Sequence, residues 1–263
     1  MPLLYGKDLR QMKGTPINMI RVIVHGAGGR MGKELLRLIN ESEDFALAAA
    51  VDKFGGENVD YTSLSDCNTP ADVIIDFSNH VLTKELCEYA TERKIPVVIA
   101  TTGQDVEERE IMSKTAEKIP VFHSANMSVG IAALASLAKK AAQMFPDADI
   151  EIIEKHHNRK LDAPSGTALL LARELKEVRP DAEFVLGRSG NAKREKNEIG
   201  ICAVRAGNIV GDHEIIICTD SQTLTLKHEA HDRALFAEGA ISAARYLVRQ
   251  EKPGMYDMKN MMA

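Results

Sequence analysis

Apolar positions along this chain follow two rhythms. From Ile20 onward, short β-branched or apolar runs alternate with stretches in which apolar residues recur every three or four positions. Ile20–Val24 reads as a buried parallel strand, and Met31, Leu35, Leu38 and Ile39 then line one helix face. The alternation continues with strands at 46–51, 73–76, 96–100 and 121–123, and helices over 82–93 and 106–118. Repeated strand–helix units predict right-handed crossovers and a doubly wound parallel sheet. Ile131, Leu134, Leu137, Ala138, Ala141 and Met144 mark a further helix, with Ser128 as its cap. After Pro146 the rhythm changes. A strand at 149–154 leads into a polar stretch, and a helix runs from Thr167 to near Arg179-Pro180. Three strands come in succession at 199–205, 214–218 and 223–229. That succession predicts a second, smaller α+β unit with a mixed sheet. Leu235 to Val248 reads as a last helix returning to the first unit. Residues 187–198 read as a solvated polar loop, Met255–Ala263 as a weakly ordered tail, and residues 1–18 as a leader or extension.

The turn after the first strand is Gly26-Ala27-Gly28-Gly29-Arg30-Met31-Gly32. A G-x-G-x-x-G spacing fails, because its third position is Met31; a G-x-x-G-x-x-G reading on Gly26, Gly29 and Gly32 fits. Glycines there permit a tight turn and close backbone approach to a pyrophosphate at the helix N-terminus. Asp52 ends the second strand, where an acid holds the adenine ribose hydroxyls, and Lys53 beside it suits a 2′-phosphate. The first favours NADH and the second NADPH, so both cofactors stay open. Later strand ends deliver Phe77-Ser78, Thr101-Thr102 and Ser124-Ala125-Asn126, where an open parallel sheet binds its ligands. The expected fold class is therefore α/β: a Rossmann-like, doubly wound parallel sheet domain plus a smaller α+β substrate domain with a mixed sheet. The expected division is a dinucleotide-binding domain over 19–127 with the return helix 233–263, and a substrate-binding domain over 128–232.

Composition narrows the partners. The chain has 263 residues, 44% hydrophobic and 27% charged, which suits an ordinary globular protein. With 33 Lys plus Arg against 38 Asp plus Glu, the net charge of −5 points away from nucleic acid and membrane surfaces. No apolar run has the length of a membrane span. Cys67, Cys87, Cys202 and Cys218 form no C-x-x-C pair and read as buried free thiols of a reducing cytoplasm.

The chemistry concentrates between Glu154 and Ala168. His156, His157, Lys160 and Asp162 fall within seven residues, and Ser165-Gly166-Thr167 opens a helix directly afterwards. Free backbone N–H groups and the helix dipole make that opening an anion site. The imidazoles and the ammonium supply proton donors. Adjacent histidines with no further His or Cys ligand make a poor metal site, so no metal is expected. Ser165 lacks a G-x-S-x-G elbow, so it is not read as a nucleophile. A dinucleotide unit joined to proton donors and an anion nest points to hydride transfer onto a small anionic substrate.

From Ile20 to Leu247 the sequence resembles the 4-hydroxy-tetrahydrodipicolinate reductase (dihydrodipicolinate reductase) family of lysine and diaminopimelate biosynthesis. Its G-x-x-G-R-M-G motif stands at Gly26–Gly32, and its H-H-x-x-K-x-D-A-P-S-G-T motif is intact at His156–Thr167. R-x-G-x-x-V-G-x-H stands at Arg205–His213, and H-x-A-x-x-R-x-x-F-A-x-G-A at His228–Ala240. The resemblance implies that Gly26, Ala27, Gly28, Gly29, Arg30, Met31, Asp52, Lys53, Ala100, Thr101, Thr102, Ser124, Ala125, Asn126 and Met127 bind NADH or NADPH. It implies that His156 and Lys160 handle the proton, and that His157, Gly166 and Thr167 hold a small dicarboxylate substrate. It further implies a homotetramer built through the second sheet. Three departures from the family pattern stand out: Ala100 in place of Gly, Met127 in place of Phe, and Ile131-Ala132-Ala133 where an Asn is common. The first two bear on cofactor preference. An amino-acid-type NAD(P) dehydrogenase and a dinucleotide-sensing regulator share the architecture. A sensor needs no His-His-x-x-Lys loop.

Overall fold

A computed structural model describes residues 19–262, so the expectation for residues 1–18 lies outside the described residues. The first unit runs β1 (Ile20–His25), α1 (Arg30–Glu41), β2 (Phe45–Val51), β3 (Val73–Asp76), α2 (Thr83–Arg93), β4 (Val97–Ile99), α3 (Val106–Ala116) and β5 (Pro120–His123). Next come α4 (Val129–Met144), β6 (Asp149–His156), α5 (Gly166–Lys176), β7 (Glu183–Leu186), β8 (Glu198–Arg205), β9 (Gly211–Cys218) and β10 (Thr223–Ala230). The chain returns through α6 (Ala234–Leu247), β11 (Gly254–Tyr256) and α7 (Met258–Met262).

The first sheet has the order β11-β5-β4-β3-β1-β2 and is parallel throughout. Both faces are covered, which is why its strands read as continuous apolar runs. Val22, Val24, Ile75, Val98 and Phe122 face α1 and the small residues of α6. Ile23, Ile74, Val97, Ile99 and Val121 face α2 and α3. The return helix comes close because Gly239 has no side chain: a Cβ there would lie 1.6 Å from the Met127 carbonyl oxygen. This is a Rossmann-like sheet.

The second sheet has the order β10-β9-β6-β8-β7 and is mixed. β9 pairs antiparallel with β10 and β6, while β6, β8 and β7 run parallel. Ile150, Ile152, Ile199, Ile201, Ile215 and Ile217 pack on α4 and α5 to form its single core. Among the described residues, the helices that pack on this sheet, α4 and α5, cover one face only.

Several expectations need correction. Strand β6 extends to His156, two residues farther than the apolar run. β7 was not anticipated, being a four-residue edge strand. The loop 187–198 is not merely solvated, because Arg194 donates to Asp149, Glu151 and the carbonyls of Ile150, Glu195 and Glu198. Helix α5 stops at Lys176, and Arg179 turns back onto the carbonyls of Ala142, Phe145 and Pro146 at the end of α4. The tail is ordered through Met262: β11 adds to the edge of β5, and Met258 of α7 is buried. A three-residue strand has too few positions to show a period. Only Cys67 and Cys87 are buried; Cys202 is exposed and Cys218 half-buried, because they lie toward the uncovered face of the second sheet.

Candidate active site

The glycine turn is built by contact. Gly26 has φ +83, and a Cβ on it would lie 2.7 Å from the Phe77 backbone. A Cβ on Gly32 would lie 2.1 Å from the Gly26 carbonyl oxygen. The turn is thus pressed between the end of β3 and the first turn of α1. Asp52 braces it from the side, taking the Gly28 N–H at 2.9 Å and the Phe54 N–H at 3.0 Å. Gly29 is the N-cap of α1, with no side-chain cap and no acid in the first turn. The first-turn N–H groups are therefore left for an anion. Beside this turn lies a cleft of about 430 Å³ lined by Gly26, Gly28, Gly29, Asp52, Lys53, Phe54 and Phe77–Asn79. This arrangement fits a pyridine dinucleotide: a side-chain-free turn, an uncapped helix terminus and an acid at the next strand end.

A buried carboxylate ties the neighbouring strand ends together. Asp76 accepts from Ser78 Oγ at 2.5 Å and from Thr101 Oγ1 at 2.6 Å. His25 Nδ1 lies 2.9 Å from it, near enough to pair but off the line of a hydrogen bond. Thr101 therefore faces inward, while Thr102 faces a second, larger cleft.

That cleft, about 760 Å³, lies between the two sheets. One wall is Arg30, Met31, Thr102, Ala125 and Asn126; the other is His156, His157, Lys160 and Ser165–Thr167. Ser165 caps α5 by accepting the Ala168 N–H, and Gly166 is exposed with open space around a hypothetical Cβ. Asn126 links the walls: its Nδ2 donates to Thr167 Oγ1 at 2.9 Å, and its Oδ1 accepts the Ser128 N–H at 2.8 Å. Because Thr167 Oγ1 accepts that bond, its hydroxyl proton is still available to donate. Lys160 Nζ pairs with Asp162 at 2.7 Å, and this bond holds the Asp162 carboxyl below its ordinary range. Arg173 and Arg233 also line the cleft and have no ion-pair partner among the described residues, which biases it toward anions.

Strand alternation builds the floor of the cleft. Ile150, Ile152, Glu154 and His156 all point inward from β6, and Gly211, His213, Ile215 and Ile217 point inward from β9. The register sets Glu154 opposite His213, and His156 beside Arg205 on β8. Each inner row is apolar at one end and polar at the cleft. Glu154 is fully buried, and His156 Nδ1 lies 2.7 Å from its Oε2. Arg205 grips both its oxygens at 2.8 Å, and the Ser165 N–H donates to Oε1 at 2.9 Å. Burial pushes the Glu154 carboxyl up, but the bonds from His156, Arg205 and Ser165 outweigh it and hold it down at about 2. His213 lies edge-on to His156, 5.2 Å between ring centroids, and its Nε2 is 3.1 Å from Ser165 Oγ. Burial, then the neighbouring His156, pushes His213 down to about 4.

The His213 shift has a measurable sign. As pH falls from 6.5 toward 4, the unfolded chain takes up a proton that the folded chain refuses, so stability is lost across that window. The total loss should be about 3 kcal/mol. Urea unfolding of His213→Gln should lack this part of the acid slope; an unchanged slope would locate the titrating group elsewhere.

Two family models match the chain: "Dihydrodipicolinate reductase, N-terminus" over residues 20–127 and "Dihydrodipicolinate reductase, C-terminus" over 130–262. The chain belongs to the dihydrodipicolinate reductase family. It is 46% identical to a 4-hydroxy-tetrahydrodipicolinate reductase of Caldanaerobacter subterraneus, over 93% of this chain and 98% of that one. It is 42% identical to the same enzyme of Clostridium tetani, over 93% and 97%. Among solved structures it resembles the dipicolinate-bound dihydrodipicolinate reductase from Paenisporosarcina sp. TG-14, with TM-score 0.77, 26% identity and coverage of 91% and 97%. A probable dehydrogenase from Thermotoga maritima, at 12% identity, TM-score 0.62 and 92% coverage of each chain, shows the fold alone.

In this family member the fold brings His156, His157, Lys160, Gly166 and Thr167 to one cleft, opposite Arg30, Met31, Thr102, Ala125 and Asn126. Gly26, Gly28, Gly29, Asp52 and Lys53 line the smaller cleft on the other side of the glycine turn. Ala27, Ala100 and Met127 are buried with little or no side-chain access, and Ser124 bonds the Asn126 backbone. Sequence reasoning missed Glu154, Arg205 and His213 beneath the cleft, and Arg173 and Arg233 on its rim. Continuing the two-residue alternation of β6 past Ile152 would have found Glu154. Among the described residues no His, Cys, Asp or Glu group is placed to hold a metal, and no helix is long and apolar enough to cross a membrane.

Proposed function

We infer that this chain reduces 4-hydroxy-tetrahydrodipicolinate, or its dehydrated form dihydrodipicolinate, to tetrahydrodipicolinate in lysine and diaminopimelate biosynthesis. The observation that carries this reading is the larger cleft. It sets the N-terminus of α5, an imidazole and an ammonium opposite the strand ends of a dinucleotide fold. Bound along those strand ends, NADH or NADPH supplies the hydride. Gly26–Met31, Asp52, Lys53, Ala100–Thr102 and Ser124–Met127 hold and orient it. His157, Gly166 and Thr167 hold the substrate carboxylates, and His156 and Lys160 deliver the proton. A regulator that only binds dinucleotide has no use for a buried carboxylate braced against a cleft imidazole. Residues 19–127 with 233–263 bind the dinucleotide, and residues 128–232 bind the substrate and build the oligomer. The uncovered face of the second sheet, with Ile153, Cys202, Val204 and Ile216, is the surface for a cytoplasmic homotetramer. The binding half of this reading is tested by calorimetric titration with dipicolinate in the presence of dinucleotide. Saturable binding that is lost in Gly166→Val supports it, and binding unaffected by that substitution contradicts it.

Lys53 is exposed beside the acid at the end of β2. Lys53→Ala should weaken NADPH binding by about 1 kcal/mol, one exposed charge-assisted contact, and leave NADH nearly unchanged. Equal shifts in both Kd values would remove Lys53 from the ribose phosphate.

A further inference from the structure

The geometry points to Glu154 as a positioning residue: one buried carboxylate that fixes both the proton-donor imidazole of His156 and the anion-binding turn at Ser165–Gly166. The inference rests on the proposed reading of the cleft. Glu154 meets four donors with two oxygens. Oε2 takes His156 Nδ1 and Arg205 Nη1; Oε1 takes Arg205 Nη2 and the Ser165 N–H. A carboxylate has about four acceptor sites, so this one is filled. An ionised carboxylate only accepts, so His156 must donate from Nδ1. That leaves Nε2 as the ring nitrogen for the substrate. Space for this orientation is reserved on the next strand: a Cβ on Gly211 would lie 2.9 Å from His156 Nε2. Neutral His213 closes the other side without adding a charge.

The second oxygen reaches the anion site. Ser165 is the N-cap residue of α5, and its N–H is fixed by Glu154 while its Oγ caps Ala168. The Gly166 and Thr167 N–H groups follow directly. The carboxylate of the substrate and the proton it needs are thereby referenced to one buried group, and Arg205 balances that group's charge. A hydrogen-bonded partner of this kind sets tautomer and ring direction and stabilises the imidazolium form.

The test uses the full-length enzyme with Glu154→Gln. The amide must turn its NH₂ toward a donor, and the charge opposite Arg205 disappears. We expect kcat to fall at least tenfold and the high-pH limb of its profile to move to lower pH. Dinucleotide affinity should remain within twofold of wild type, because that site lies on the other sheet. A lowered melting temperature with unchanged kcat and pH profile would overturn the inference. Nitrogen-15 NMR of the wild-type imidazoles decides independently of how the variant folds. Neutral His156, assigned by comparison with His156→Gln, should carry its proton on Nδ1, and a proton on Nε2 would overturn the inference. If wild type turns over no substrate, the functional reading fails while the NMR result still decides the role of Glu154.

Discussion

His156→Gln and Lys160→Met should each lower kcat by at least roughly tenfold, the lower bound expected of a positioned general acid. Reduction of the conjugated imine adds a hydride to the ring and a proton to balance it. Without a donor at hand, negative charge builds on the ring with nothing to quench it. Both side chains line the same cleft as the Gly166-Thr167 helix opening, Lys160 six and His156 ten residues before it in the chain. A substrate carboxylate seated on that opening, as proposed, would hold the ring in the cleft that both side chains line. Dinucleotide affinity should survive both changes, since neither residue belongs to the first sheet. The double variant should lose less than the product of the single losses if the two groups serve one proton transfer. Steady-state kinetics with calorimetric Kd values makes the distinction. Near wild-type kcat with raised KM alone would make both residues carboxylate binders.

Gly166→Val should raise KM by tenfold or more while leaving the fold intact. Gly166 is exposed, its φ is not in the left-handed region, and a Cβ there meets nothing within 4 Å. The folded protein has room for the side chain, so the cost falls on the ligand. A branched side chain on the first helical residue covers the N–H groups that would take the carboxylate. Losing one charge-assisted contact of about 1.5–3 kcal/mol corresponds to roughly ten- to hundredfold in KM. Dinucleotide Kd should be unchanged. Unchanged KM with weakened NADH binding would move the anion site to the other sheet.

The strands of the first sheet were legible because burial on both faces leaves nearly continuous apolar runs such as Ile20–Val24 and Val73–Asp76. The helix opening at Ser165–Thr167 was legible because capping chemistry is local. Short edges were not: β7 and β11 are four and three residues long, and each is fixed by pairing rather than by its own pattern. The floor of the cleft was hidden for a different reason. Glu154 meets Arg205 and His213 only through the register of β6 with β8 and β9, and no local pattern reports cross-strand register. Glu154 itself stood in plain view two residues before His156, but the strand was expected to end there. Once the strand continues, both residues share the inner face. The charged loop 187–198 misled in the opposite sense. Its residues look solvated, yet Arg194 reaches the carbonyls of Ile150 and Glu198 and pins the loop to the sheet.

The cleft between the sheets should reduce a cyclic dicarboxylate with a dinucleotide lying on the parallel sheet. Supplying the protein with freshly synthase-generated substrate and each reduced dinucleotide tests it most directly, with product identified by NMR. One dinucleotide should be oxidised per tetrahydrodipicolinate formed, with deuterium from a labelled nicotinamide found on a ring carbon of the product. Dinucleotide binding with no oxidation above the protein-free rate would contradict it.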